Sequence, residues 1–550
     1  MLCATNLPDR YNELPSQFER ERVLSRLWAH DYTVWKADPT EITNRLGWLH
    51  APFSMMPELD RLDAFAKGVR ANGFEYVLLL GMGGSSLAPE TFARTFGATP
   101  NSPDVTVLDS THPAAIAAVE SRLDLSRTLF LVATKSGTTT ETLSLFRYFF
   151  NRALEEEEAA KVGARFVAIT DPGSPLGALA VRHGFREVFL NDPNIGGRYS
   201  ALSLFGLVPA ALLGIDIERL LKRAQRIAIE SAAHASPGEN TAVRLGLILA
   251  TCTVAGRDKA TFLLPPEIAS FGGWVEQLIA ESTGKDGIGI LPIVGEPVGA
   301  AKVYGDDRMF IVLTLRGKEQ DDDAISELDR AGHPIVRIEI DGVDSLGDQF
   351  FLWELATAVA AHVLKINPFD QPNVESAKTL AREMVNTFRR TGALPPGDST
   401  RLEADGLAAF LDGIGAPDYL AIQAYLPPSD RLTDAFTALR IVLRDRLNIA
   451  TTFGYGPRFL HSTGQLHKGD RGNGRFVQLV SDVEADLPIP DEVGSAASSL
   501  TFGTLISAQA GGDRLALLGA GRSVAAYAVP VDPSDLIHRV AADLGRSSHG

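Results

Sequence analysis

The sequence predicts an α/β protein built on parallel β-sheets, and two observations carry that prediction. Short apolar runs recur between residues 76 and 190, and amphipathic stretches such as 87–96 and 141–154 separate them. Continuous apolar runs are typical of strands buried on both faces, and their alternation with helices indicates βαβ units. The composition, 45% hydrophobic and 22% charged, is that of a folded globular protein.

The first α/β domain is expected within residues 71–215. Its strands are predicted at residues 76–80, 105–108, 129–133, 166–169 and 188–190. A run of strands and helices of this kind fits one doubly wound domain. Residues 1–70, which precede it, are interpreted as a mainly helical segment without a chemical motif.

The same alternation continues along the chain and predicts a second α/β domain over residues 216–400. Its expected strands are 309–315 and 336–340, and its expected helices are 322–331 and 350–364. The Gly- and Pro-rich run 391–399 (TGALPPGDS) is the best candidate for a linker. Apolar runs at 419–425, 449–453 and 476–480 then predict a C-terminal α/β portion over residues 401–550.

Charge and cysteine content restrict the class of protein. The chain has 52 basic and 68 acidic residues, and the net charge of −16 argues against nucleic acid as the main partner. Cys3 and Cys252 lie too far apart to indicate a disulfide framework or a metal cluster. The N-terminus lacks the pattern of a secretory signal, and the most apolar stretch is shorter than the ~20 residues of a membrane span. We therefore expect a cytoplasmic protein that does not bind membranes.

Two loops that follow predicted strands have the composition of a phosphate site. Residues 81–86 (GMGGSS) combine glycines, including Gly84, with the hydroxyl of Ser85, and residues 134–142 (TKSGTTTET) supply further hydroxyls just before a helix. Loops at the carboxyl ends of parallel strands are where such sheets bind ligands. A dinucleotide fingerprint would need glycine at position 86, and no G-x-x-x-x-G-K-[ST] run occurs, so nucleotide binding is disfavoured.

Several residues are candidates for acid–base chemistry. Gln277 and Glu281 are four residues apart on a predicted helix, and partial burial would suit Glu281 to act as a general base, although most helix glutamates are simply exposed. Arg198 follows two glycines and could reach a cleft to stabilise an oxyanion. His461 and His467 lie six residues apart without a nearby cysteine, which makes metal ligation improbable.

Taken together, these motifs resemble the glucose-6-phosphate isomerase family. The segments that carry the resemblance are the loop at 81–86, TKSGTTTET, GGRYS, AESTGK and NPFDQPNVESAK, in this order over residues 81–378. The segment FGYGPRFLHSTGQLHKG is similar to one branch, the isomerase half of transaldolase–isomerase fusions. The length of 550 residues leads us to expect the isomerase part alone.

The resemblance implies a fold of two sugar-isomerase (SIS) domains, each a five-stranded parallel sheet flanked by helices, with the site between them. It implies that Glu281 moves a proton between carbons 1 and 2 of the open-chain sugar, that Arg198 stabilises the enediolate, and that Lys378 assists ring opening. The implied substrate-binding residues are Gly84, Ser85, Thr134, Lys135, Ser136, Thr138, Thr139, Thr142, Gln277 and Gln371. The expected reaction needs no metal and no cofactor, and the protein could be a homodimer.

The ring-opening histidine departs from the family pattern. In many members it lies between the catalytic glutamate and the lysine, whereas here the HSxGQ segment follows Lys378. The role is therefore assigned to His461, with His467 as the rival. Other functions stay open at this point, namely an isomerase that also accepts mannose 6-phosphate and a sugar-phosphate sensor without activity. A glutamine-dependent aminotransferase is disfavoured because Cys3 is misplaced for its nucleophile.

Overall fold

A computed structural model describes residues 2–318, 322–395 and 397–546 of the chain. Its strands are β1 (Leu2–Thr5), β2 (Tyr76–Gly81), β3 (Asp104–Leu108), β4 (Thr128–Ala133), β5 (Phe166–Thr170), β6 (Glu187–Leu190), β7 (Lys259–Leu263), β8 (Leu291–Ile293), β9 (Arg308–Leu315), β10 (Ile335–Ile340), β11 (Thr400–Arg401), β12 (Tyr419–Tyr425), β13 (Ala450–Tyr455), β14 (Gly474–Val480), β15 (Pro488–Ile489), β16 (Leu500–Thr501) and β17 (Ser523–Ala528). They form three five-stranded sheets and one two-stranded ribbon, β15–β16.

Helices cover both faces of these sheets. They are α1 (Leu14–Arg20), α2 (Val23–Trp28), α3 (Ala51–Ser54), α4 (Leu59–Ala71), α5 (Leu87–Phe96), α6 (Pro113–Glu120), α7 (Thr140–Leu154), α8 (Ala159–Val162), α9 (Pro175–Arg182), α10 (Leu204–Leu213), α11 (Ile217–Glu230), α12 (Thr241–Val254), α13 (Phe271–Thr283), α14 (Asp322–Arg330), α15 (Leu346–Leu364), α16 (Val374–Thr391), α17 (Ala404–Phe410), α18 (Asp430–Leu447), α19 (Gly464–Gly469), α20 (Phe502–Gly519) and α21 (Ser534–Arg546). Within the described parts of the chain, no helix is long and apolar enough to cross a membrane.

The first sheet is parallel throughout and has the strand order β3-β2-β4-β5-β6. Its central strands β2 and β4 are apolar along almost their whole length and are buried, as the continuous apolar runs predict. The chain leaves β2 toward β3 on one side and returns to β4 on the other. This reversal creates a crevice between the carboxyl ends of β2 and β4, which is the usual ligand-binding position in such sheets.

The second sheet differs in one respect from the predicted five parallel strands. Its order is β1-β10-β9-β7-β8, and the four strands from the second α/β region are parallel. The fifth strand, β1, comes from the N-terminus and pairs antiparallel with β10. The segment 1–70 is thus helical only after this strand. A strand delivered from outside the βαβ succession needs no crossover helix, so it can occupy the edge in either direction.

The C-terminal portion has a five-stranded parallel sheet of its own, with the order β11-β17-β14-β12-β13. The predicted α/β class is therefore confirmed, and the C-terminal portion belongs to the same class. The linker candidate lies between α16 and β11, and its Pro396 lies outside the described residues. The proposed domain boundaries at residues 70, 215 and 400 stay a prediction.

Candidate functional site

A cavity of about 790 Å³ opens at the carboxyl ends of β2 and β4. Helices α13, α16 and α20 and a short 3₁₀ turn, Arg458–His461, contribute to its wall. The predicted site residues that line it are Gly84, Ser85, Thr134, Lys135, Ser136, Thr138, Thr139, Arg198, Gln277, Glu281, Gln371, Lys378 and His461. Gly84 and His461, which are 377 positions apart in the sequence, thus line the same cavity. Thr142 is not part of this lining and is fully buried in the first turns of α7.

The hydroxyl-rich loop after β4 has the geometry of an anion site. Thr139 is the N-cap residue of α7, and its hydroxyl lies 2.8 Å from that of Thr134. The Ser136 and Thr138 hydroxyls are 2.9 Å apart, and the Thr138 amide donates to the Ser136 oxygen. The N-terminus of α7 adds its partial positive charge. These donors together can hold a dianion such as a phosphate group.

Lys135 in the same loop is less available than the sequence suggests. Its ammonium forms a short ion pair with Asp171 and donates to the Pro193 carbonyl oxygen at 2.8 Å. It lines the cavity, but its charge is already partly balanced by the carboxylate. We infer that hydroxyls and helix amides, rather than this lysine, would make the direct contacts to an anion.

The glycine-rich loop after β2 is needed for close packing. Gly83 has a φ of +57°, and a Cβ atom there would lie 2.9 Å from the His461 carbonyl oxygen. A Cβ atom on Gly84 would lie only 2.0 Å from the carbonyl oxygen of Gly197. Absence of side chains at these positions therefore lets the loop touch both the segment that bears Arg198 and the turn that bears His461.

Glu281 faces the cavity from the last turn of α13 and is only 6% exposed. Its Oε2 atom lies 3.3 Å from Nε of Arg198 and accepts a hydrogen bond of 3.1 Å from Nε2 of Gln277. Gln277 uses the same amide group to donate to the His461 carbonyl oxygen at 2.7 Å. Gln277 thus links the carboxylate to the histidine-bearing turn.

Arg198 is held rigidly by backbone oxygens. Its terminal nitrogens donate to the carbonyl groups of Glu281, Pro368, Phe369 and Asp370, at 2.8 to 3.4 Å, and to the Gln371 side-chain oxygen at 3.3 Å. The side chain is 6% exposed. Because its N–H groups are occupied in this way, Arg198 would act on a bound anion through its fixed positive charge.

His461 is oriented by a carboxylate that the sequence analysis did not single out. Nε2 of His461 lies 3.1 Å from Oε1 of Glu141, at the start of α7. Burial acts to raise the pKa of the Glu141 carboxyl, but His461, the backbone hydrogen bond at Glu141 and the charge of Lys378 together lower it more, so the net pKa is lowered. An ionised carboxylate only accepts hydrogen bonds, so Nε2 carries the proton and Nδ1 is left to exchange one. Glu141 belongs to the recognised TKSGTTTET run, but its partner lies 320 positions away.

His467, the rival of His461, lies apart from the cavity. It is 2% exposed, lies beside the aromatic rings of Tyr419, Phe459 and Phe476, and its Nδ1 is 3.4 Å from the Gln423 amide. Burial, reinforced by Lys468, lowers its pKa well below the usual range. A neutral, enclosed imidazole of this kind packs in a core and is poorly placed to meet a sugar.

Two lysines, Lys378 and Lys285, differ in how they are placed relative to the cavity. Lys378, on the first turns of α16, lines the cavity and donates to Glu375 at 2.8 Å. Lys285, which the sequence analysis passed over, is buried and donates to the carbonyl oxygens of Asn367 and Asp370. Burial, aided by Arg198, lowers the Lys285 pKa to about 8. Lys285 is the last residue of the AESTGK segment, and this position is the feature of the sequence that could have drawn attention to it.

No group of three or more His, Cys, Asp or Glu side chains within residues 2–318, 322–395 and 397–546 could hold a metal ion.

Comparison with known proteins agrees with this architecture. A crystal structure of a glucose-6-phosphate isomerase from Chlamydia trachomatis superposes with a TM-score of 0.59, covering 75% of this chain and 91% of that one at 19% identity. The match shows that this chain has the α/β fold of that protein. A family model described as phosphoglucose isomerase matches residues 54–289.

Sequence relatives identify the family. A protein of Natronomonas pharaonis described as a probable glucose-6-phosphate isomerase is 32% identical over 365 residues, which cover 59% of this chain and 82% of the relative. A protein of Haloarcula marismortui with the same description is 30% identical over 349 residues, covering 56% and 78%. The chain belongs to the phosphoglucose isomerase family.

Proposed function

We propose that this protein interconverts glucose 6-phosphate and fructose 6-phosphate. The observation that carries the proposal is the convergence of Glu281, Arg198 and His461 around one cavity that also has a hydroxyl-rich anion loop. A base, a fixed cation and an oriented imidazole are the groups that an aldose–ketose isomerisation needs. The names of the sequence relatives support the same reaction.

The phosphate group would anchor the sugar at the loop after β4. Thr134, Ser136, Thr138 and Thr139 offer hydroxyls there, and Gly84 and Ser85 face the same cavity from the loop after β2. Gln277 and Gln371 would contact the sugar hydroxyls. Binding energy from this remote group orients the reacting carbons, which is a principal source of rate enhancement.

Ring opening would be the first chemical step. The bond between the anomeric carbon and the ring oxygen breaks as the ring oxygen takes up a proton and the anomeric hydroxyl gives one up, leaving a carbonyl group. Nδ1 of His461 is the nitrogen free to exchange a proton, because Nε2 is engaged with Glu141. The ammonium of Lys378 is the second proton group of this step.

Isomerisation would follow on the open-chain sugar. Glu281 removes the proton from the carbon next to the carbonyl, and the electron pair forms the enediolate. The charge of Arg198, 3.3 Å from the Glu281 carboxylate, offsets the negative charge that develops. A proton moves between the two oxygens, and Glu281 returns its proton to the neighbouring carbon. The product differs from the substrate only in the positions of hydrogen atoms, and no oxidant or nucleotide takes part.

The test is turnover of fructose 6-phosphate by the purified protein, followed as glucose 6-phosphate through a coupled dehydrogenase. We expect turnover that a metal chelator does not change. A parallel assay with mannose 6-phosphate measures whether carbon 2 stereochemistry is discriminated. A folded protein that binds fructose 6-phosphate but does not convert it would refute the isomerase and support a sugar-phosphate sensor.

We further propose that the chain represents the branch seen in transaldolase–isomerase fusions, that it acts in the cytoplasm and that it forms a homodimer. The segment FGYGPRFLHSTGQLHKG supports the first of these, because it is similar to the corresponding segment of that branch. Size-exclusion chromatography with light scattering measures the oligomeric state.

A further inference from the structure

The Glu141–His461 pair is the end of a longer buried hydrogen-bond chain. Oε1 of Glu141 also accepts a 2.8 Å hydrogen bond from Nε2 of Gln509, in the middle of α20. The Gln509 side-chain oxygen in turn accepts a 2.7 Å hydrogen bond from the hydroxyl of Thr111, which follows β3. The three partners beyond His461 are 8% exposed or less.

We propose that Gln509, oriented by Thr111, is a positioning residue that holds the Glu141 carboxylate against His461 for ring opening. This inference rests on the proposed isomerase function and deepens it. Gln509 acts through Glu141, and its contribution is to fix the direction of the imidazole, so that Nδ1 presents its lone pair to the sugar.

The directions of the hydrogen bonds follow from chemistry. A carboxylate oxygen accepts only, so the Gln509 group that faces Glu141 has to be its NH₂. The amide oxygen of Gln509 then faces Thr111, whose hydroxyl can donate to it. Glu141 excludes the flipped amide, because the flip would place an oxygen against the carboxylate, and the Thr111 hydroxyl holds the amide oxygen in place by donating to it. The Gln509 amide therefore has one orientation that satisfies both of its hydrogen bonds, and buried hydrogen-bond networks of this kind specify one geometry.

A single acceptor atom receives both donors. Oε1 of Glu141 takes the Gln509 amide and His461 Nε2 together, so loss of the amide would free the carboxylate to rotate about its side-chain torsions. Glu141 sits in the first turn of α7, where the helix dipole also favours the ionised form. Without Gln509, the Glu141 carboxylate would therefore stay ionised, but the His461 imidazole would no longer be held in one direction.

The hydrogen bonds of Gln509 also give helix α20 a role beyond packing. Gln509 and Thr111 are 398 positions apart, and the bond between them joins the C-terminal portion to the carboxyl end of β3 in the first sheet. A position that served packing alone could be filled by an apolar side chain. Here a glutamine is buried with both ends of its amide satisfied, as an oriented polar network requires.

The experiment compares two substrates. Fructose 6-phosphate is mostly a closed furanose, whereas 5-deoxyfructose 6-phosphate lacks the oxygen that closes this ring and is open-chain. Deuterium incorporation at carbon 1 from D₂O, measured by proton NMR, reports proton removal by Glu281 with either compound. A variant that impairs ring opening alone slows exchange with the first compound and spares the second.

Gln509→Leu removes the amide at similar volume. We expect kcat/KM for fructose 6-phosphate to fall about tenfold to a hundredfold, the effect of one lost hydrogen bond to a charged group. We expect exchange into 5-deoxyfructose 6-phosphate to change less than about threefold, since Glu281 and Arg198 are untouched. Ser507→Ala is the control: Ser507 lies exposed on the same helix, its hydroxyl donates to the Gly503 carbonyl oxygen, and the variant should match the wild type with both compounds.

A second pair keeps the test valid if Gln509→Leu does not fold. Thr111→Val removes only the hydroxyl, and Thr111→Ser restores it. The valine variant should show the same selective loss, and the serine variant should recover it, which a purely structural role would not require. Equal slowing of both substrates, or no slowing in a folded Gln509→Leu protein, overturns the inference while leaving the isomerase intact. Absence of exchange by the wild type with either compound refutes the proposed function and the inference together.

Discussion

Replacing Glu281 by glutamine separates catalysis from binding more sharply than any other change in the cavity. The amide has the same shape, and its oxygen can keep accepting from Arg198 and Gln277, at 3.3 and 3.1 Å in the wild type. What disappears is the ability to take a proton from carbon. We expect kcat to fall by about 10²–10⁴-fold, the usual contribution of a general base, which corresponds to roughly 3–5 kcal/mol in the barrier.

Stability and binding should change much less. Breaking a buried ion pair can cost about 3–5 kcal/mol because a charge is left unpaired. Arg198 keeps its carbonyl partners in the variant, so we expect a loss below about 3 kcal/mol in urea unfolding. The anion loop after β4 is unchanged, and calorimetry should give a dissociation constant for fructose 6-phosphate within about threefold of the wild type.

The control for this substitution is Glu354→Gln. Glu354 lies on α15, is 1% exposed and does not line the cavity, so this variant should keep wild-type turnover. If a folded Glu281→Gln protein turns over within tenfold of the wild type, Glu281 is not the base and the mechanism is wrong.

Two further changes test the packing and the buried charges. Gly84→Ala places a Cβ atom 2.0 Å from the Gly197 carbonyl oxygen, so we expect the free energy of unfolding to drop by about 1–3 kcal/mol and kcat/KM to fall. In the control Gly177→Ala, the nearest atom is 3.6 Å from the new Cβ, and neither quantity should change. Equal behaviour of the two variants would contradict the close approach at Gly84. Burial raises the pKa of Glu354 well above its usual value, so the folded state holds a proton that the unfolded chain has lost. As pH rises above about 4.5, the free energy of unfolding of the wild type should therefore fall relative to that of Glu354→Gln, by at most about 1.4 kcal/mol per pH unit. Urea titrations measure this difference, and a difference that does not depend on pH would contradict a protonated Glu354 in the folded state.

The inner strands β2, β4 and β5 of the first sheet could be predicted because burial on both faces leaves a continuous apolar run. Strands β7 and β8 give no such signal. β7 begins with Lys259, which is buried against Asp258 at 2.6 Å, and β8 is three residues long with a central proline. Both are strands because of partners supplied by the tertiary fold, which a local pattern does not contain.

The residues of the candidate site likewise fall into those that the sequence could predict and those that it could not. The hydroxyls of the loop after β4 could be proposed because neighbours in the sequence share their chemistry, and Glu281 could be proposed because it lies in a motif that resembles the family. Glu141 could not be paired with His461, and Gln509 could not be recognised, because these relations join positions 320 and 368 residues apart. Distances of that kind are fixed by how the sheets pack, after local structure has formed.

The N-terminal strand β1 has a consequence for synthesis. Leu2 pairs with Ile338, so the two partners are 336 positions apart in the sequence. At about 5–20 residues per second, a ribosome needs roughly 20–70 s to make the segment between them. During that time the first few residues have no strand to join, while the first sheet already has all its strands. The second sheet is therefore completed only when β10 is available to pair with β1, and an agent that binds β1 would delay this pairing without affecting the first sheet.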